Sequence, residues 1–117
     1  MLTEKVRIQS SDSRVDAVLA ENESGATTPV GMAVYIVKHG KKISSEDAGF
    51  KCDHYSQIQI SWSANKQLLI SYNRARIFGF TNFWEDNEVD KFKYVVEVSL
   101  NCISADHHQL EEQERNP

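Results

Sequence analysis

The chain has 117 residues, 40% of them hydrophobic and 26% charged, with a formal net charge of −4. That length suits one domain folding on a single core without metal or disulfide staples, and that balance rules against a wholly disordered chain. The acidic excess also argues against a duplex-DNA binder, which needs a basic face to displace counterions from phosphates.

The start, Met1-Leu2-Thr3-Glu4-Lys5-Val6, has no apolar run of signal-peptide length, and no later stretch is long enough to cross a bilayer. A cytoplasmic protein with neither membrane nor nucleic acid as partner is therefore expected. From Asp16 onward the apolar residues repeat mostly with period two, the spacing of a pleated strand. Residues 15–21 and 32–38 are rich in β-branched and apolar types, and Asn22-Glu23-Ser24-Gly25 supplies turn chemistry, so these two strands should pair. Residues 39–42 end the second strand, with Lys41 and Lys42 at a solvated hairpin tip, and a polar loop over 44–49 leads to a short strand over 50–53.

Ile58, Ile60 and Trp62 alternate with polar neighbours over 57–63, as in a half-buried antiparallel strand. Ala64-Asn65-Lys66 interrupts the pattern and residues 67–72 resume it, which predicts a hairpin. Tyr94, Val96, Val98, Leu100 and Cys102 make 93–103 a closing strand. The tail from 104 to 117 has Leu110 as its one large aliphatic residue among many charges, so coil or a short helix on Leu110 is expected. The fold expectation is thus a mainly-β domain over 1–103, an antiparallel sheet of five to seven strands arranged as a sandwich or partly open barrel, followed by a polar tail.

Two segments are unlike ordinary strand sequence: Gly25-Ala26-Thr27-Thr28 and the run Ala-Arg-Ile-Phe-Gly-Phe-Thr-Asn-Phe-Trp at 75–84. Together with Asp16-Ala17-Val18-Leu19, Val34-Tyr35-Ile36-Val37, Phe50-Lys51-Cys52-Asp53-His54, Ile60-Ser61-Trp62 and Leu69-Ile70-Ser71-Tyr72, they resemble a group of small bacterial mainly-β proteins of unknown function. The resemblance covers about residues 10–103. Some of that group look like secreted lipoproteins and others like proteins encoded on mobile integron cassettes. This chain, with no lipoprotein leader cysteine, looks more like the second kind. The resemblance implies a fold class and an accessory role, and no cofactor or catalytic residue.

Candidate sites follow from residue chemistry. Phe78, Phe80, Phe83 and Trp84 are four rings in seven positions, more than one strand face buries. Some can pack in the core, and any left exposed would mark an interface or a ligand groove. Gly79 between two of them suggests a bulge or a close backbone approach. Arg74 and Arg76 share a face if extended and can hold a carboxylate or phosphate, or pair with Glu85, Asp86, Glu88 and Asp90 downstream. Asp53 and His54 are acid–base candidates, yet on a regular strand adjacent side chains face opposite ways and cannot meet.

The acidic run lacks the glycine and terminal glutamate spacing of a calcium loop, His107 and His108 lack further ligands, and Thr27 and Thr28 lack a phosphate-cradle context. No metal or cofactor is expected, and Cys52 and Cys102 are expected to be free thiols. The functional expectation is a binding or interaction module that associates with itself or another protein through strand edges or the aromatic segment. The alternative is a small-molecule binder or small enzyme using Asp53, His54 and Arg76 at a cleft.

Overall fold

In the computed structural model, which describes residues 2–22, 31–44 and 48–103, the period-two pattern becomes two stacked sheets. Among the described residues the first sheet has the order β1-β2-β3-β4-β7, formed by Leu2–Gln9, Val15–Asn22, Gly31–Lys38, Phe50–Ser56 and Arg74–Phe80. All its pairings are antiparallel. The second has the order β5-β6-β9-β8, formed by Gln59–Ala64, Gln67–Tyr72, Val96–Cys102 and Phe83–Trp84. It is mixed, because β6 and β9 run parallel. The two sheets form an open sandwich rather than a barrel.

The architecture is mainly β, as the alternation predicts, but it has more strands than expected. β1 escapes the pattern because its Leu2-Thr3-Glu4-Lys5-Val6-Arg7-Ile8-Gln9 sequence is charged and mostly solvent-facing. β7 is hidden by its aromatic content, and β8 is only two residues long. The expected pairing of β2 with β3 is present along their full lengths. So is the β5–β6 hairpin, closed by Asn65 and by Lys66 at φ 66.

Inward residues of both sheets make the main core. Val15, Ala17, Leu19, Met32, Val34, Ile36, Phe50 and Cys52 from the first meet Ile60, Leu68, Ile70, Val96 and Val98 from the second. Trp62 joins the layers through an indole N–H that donates to the Ile8 carbonyl at 3.0 Å. Val18, Ala20, Ala33, Tyr35 and Val37 alternate with those inward residues, so they lie on the outer face of β2 and β3. They are buried all the same, with Leu2, Ile43 and Ala48 packed against them. A strand covered on both faces needs apolar residues at every position, which is why β2 and β3 read as nearly continuous apolar runs.

The last strand begins at Val96, three residues later than the alternation suggests. Asp90–Phe92 form a short left-handed turn, with φ of 55°, 49° and 69°. After it Tyr94 inserts singly into the core, its hydroxyl donating to Asp12 and its ring flanked by Arg14 and Lys66. Cys52 and Cys102 are free. The expected turns over 22–25 and 25–28, and the tail from 104 with His107, His108 and its optional helix, lie outside the described residues.

Candidate functional site

β4 and β7 pair through an interrupted ladder, and the interruptions build the site. Lys51 pairs with Gly79 and Cys52 with Ile77, so Phe78 is an extra residue bulged out of β7. Beside the bulge the methylenes of Lys51 lie across Gly79, 3.5–3.6 Å from where a side chain would begin, an ordinary packing distance. A second shift falls between Asp53, which pairs with Arg76, and Ser56, which pairs with Arg74. There His54 takes a left-handed conformation, φ 49°.

That second bulge overturns the expectation that Asp53 and His54 cannot meet. The rule of opposite faces holds only for extended backbone. With the chain turned at His54, its Nδ1 lies 3.0 Å from Asp53 Oδ1. Since the Asp53 carboxylate is acceptor-only, Nδ1 carries the proton. Arg76 completes the cluster with a bidentate clamp, Nε to Oδ1 and Nη2 to Oδ2, both 2.7 Å.

The Arg76 guanidinium, then the His54 contact, hold the Asp53 carboxyl well below the usual carboxylate range. Arg76 therefore pairs backward, to β4, and not to the acidic segment. Glu88 of that segment binds Lys41 at 3.0 Å instead, and the Asp86 carboxylate accepts the Glu88 N–H. Arg74 makes no ion pair among the described residues.

The four rings divide. Trp84 packs against the main core, whereas Phe78, Phe80 and Phe83 keep 64%, 41% and 49% of their surface exposed. The bulge is the reason for the first, since it leaves Phe78 beside Lys51 on the outer face. Phe80 pairs with the fully buried Phe50 but sits at the strand's end, on the rim of the sandwich. Phe83 pairs with the exposed Glu97, on the solvent side of β9. Single exposed apolar residues are ordinary on a protein surface. Three within six positions at one edge of the sandwich are not, with Phe78 and Phe83 turned outward from opposite sheets.

The strand edges themselves are poor templates for pairing. β1 is bulged between Glu4 and Val6, β5 between Trp62 and Ala64, and β7 at Phe78, while β8 is too short to extend a sheet. Bulges and short strands are the usual means of blocking edge-to-edge addition. These edges leave little continuous backbone for a further strand.

Two concavities adjoin the rings. One, lined by Phe50, Leu68, Ile70, Phe83, Trp84 and Val98 among others, has a volume of about 20 Å³, room for roughly one water. The other, about 170 Å³, lies on the outer face with Phe78 and Lys51 in its wall. Sequence reasoning missed Lys51, although its place two residues before Asp53 on β4 puts both on one face.

Among the described residues no group of three His, Cys, Asp or Glu side chains is arranged to hold a metal. No described helix is long and apolar enough to cross a membrane. Comparison with protein-family models, with curated proteins and with solved structures finds no match to this chain.

Proposed function

We propose that this domain is an interaction module that pairs with a second copy of itself through the β7–β8 side. The exposed stripe of Phe78, Phe80 and Phe83 carries the reading. The charges at its two ends support a self-complementary arrangement. Arg74 and the 67% exposed side chain of Arg76 stand at the start of β7. The acidic residues Glu85, Asp86, Glu88 and Asp90 follow β8, and the Glu88–Lys41 pair fixes them beyond the opposite end, where β3 leaves the sheet. A two-fold axis through the rings sets each arginine end against the partner's acidic end, the isologous contact of most homodimers. The resemblance to cassette-encoded proteins and a cytoplasmic accessory role belong to the same proposal.

Sedimentation velocity tests it. The chain should sediment as a dimer at micromolar concentration. Phe83→Ser should return it to monomer with its far-ultraviolet circular dichroism intact, and Arg74→Glu should weaken association further as salt falls. A monomer at every concentration would overturn the reading.

A second reading, an acid–base or small-molecule site, is favoured by the convergence of Asp53, His54 and Arg76. Asp53 fixes the His54 tautomer and leaves Nε2 without a described partner, an arrangement suited to proton transfer. Against it, the bidentate arginine occupies both carboxylate oxygens. None of the three side chains lines the neighbouring concavity.

A further inference from the structure

We infer that the 170 Å³ concavity on the outer face of β3, β4 and β7 is a binding site for a small aromatic anion, a single ring bearing a carboxylate. Size sets the first limit: a cavity of about 150 Å³ admits one benzene ring, and this one exceeds that only slightly. Its floor is β3, with Met32, Ala33 and Tyr35, and its walls include Phe78 and Lys51, with Asn22 at one side. A mixed apolar floor with a few polar groups is the composition of small-ligand sites.

The ring comes from Phe78. It is bulged out of β7, is the most exposed large apolar side chain described, and faces a hollow rather than a neighbouring strand. A planar ligand laid against it in offset contact removes apolar surface from both. The carboxylate comes from Lys51. Its methylenes lie across Gly79, it lines the concavity, and it makes no ion pair among the described residues. The neighbouring Arg76 is neutralised by Asp53, about 7 Å along β4 from Lys51. Among the described residues the local balance is one positive charge without an ion-pair partner beside one exposed ring.

The site shares Phe78 with the proposed dimer surface but not Lys51, so substitution of Lys51 separates the two. Nuclear magnetic resonance titration of the full chain with benzoate, benzyl alcohol and cyclohexanecarboxylate tests it. Benzoate should give saturable shifts at residues 31–35, 51–52 and 78. Benzyl alcohol and cyclohexanecarboxylate should each bind about tenfold more weakly or worse. Lys51→Met, an exposed substitution, should reduce benzoate affinity to that of benzyl alcohol while the sedimenting mass stays unchanged.

Absence of saturable shifts, or benzoate binding that survives Lys51→Met, would overturn the site. Equal binding of the saturated acid would overturn its aromatic character. A monomeric protein that still binds benzoate would leave this inference standing and remove only the dimer.

Discussion

The first sheet carries an arginine–aspartate–histidine cluster at each of its two ends, and the same three residue types do different things there. At the β1 end Asp16 is almost wholly buried and accepts from Arg7 Nη1 at 2.7 Å, His39 Nδ1 at 2.8 Å and the Gly40 N–H at 3.0 Å. Arg7 also donates to the Lys41 carbonyl. That cluster fastens the segment after β3 to the sheet. At the β7 end the Asp53 side chain is held by only two groups, Arg76 and His54, both more than 60% exposed. Chemical identity is shared, and the exposure of the partners differs. Both carboxylates are shielded, but the groups that hold Asp53 stand largely in solvent and can exchange for water, whereas Asp16 also takes a backbone N–H and the less exposed Arg7.

The largest expected effect is at the buried cluster. Asp16→Ala leaves Arg7 and the Gly40 N–H without their acceptor and should cost about 3 kcal/mol, read as a lower urea midpoint at unchanged slope. Asp53→Ala should cost far less. Equal losses would break the distinction between a structural and an exposed cluster.

Acid sharpens it next. Burial pushes the Asp16 carboxyl up, but the Gly40 N–H, His39 and Arg7 more than offset this, so it lies below its ordinary 3.8. Burial likewise opposes Asp12, which the Tyr94, Ser10 and Arg14 contacts bring down to about 2. A carboxyl with a lowered folded value supports the fold fully above its ordinary value and loses that support as pH falls through the folded one. Stability measured by denaturant should therefore decline from about pH 4 to about 2, and Asp12→Asn should flatten the lower part of that decline.

Glycine substitution gives opposite signs at the two histidines. His54 sits at φ 49°, a region that costs L-residues about 1–2 kcal/mol, so His54→Gly should stabilise by up to about 1 kcal/mol. His39 has no such strain and donates to a buried acceptor, so His39→Gly should destabilise by about 1 kcal/mol. The smallest effect is ionic: the loss from Asp53→Ala should fade in 1 M salt, where the screening length is about 3 Å, while that from Asp16→Ala persists.

Much of this contrast was invisible in the chain. The apolar runs at 15–21 and 32–38 were legible because strands covered on both faces need apolar residues throughout, and they located β2 and β3 with their pairing. The composition of 75–84 was legible as more rings than one strand face buries, and three of its four rings are exposed. Sequence gave no sign that Asp53 reaches His54, because a bulge depends on how two strands fit and not on either alone. Nor could it show that Asp16 has the partners Arg7 and His39, nine and 23 residues away.

The order of residues by itself determined the fold class, the hairpin over 59–72 and the pairing of β2 with β3, since local hydrophobic pattern records which faces leave water. Tertiary structure alone decided the parallel pairing of β6 with β9, the bulges that turn out Phe78 and His54, and how far the partners of each aspartate stand in solvent. These depend on contacts between segments far apart in the chain, and the free energy of such a contact belongs to the pair.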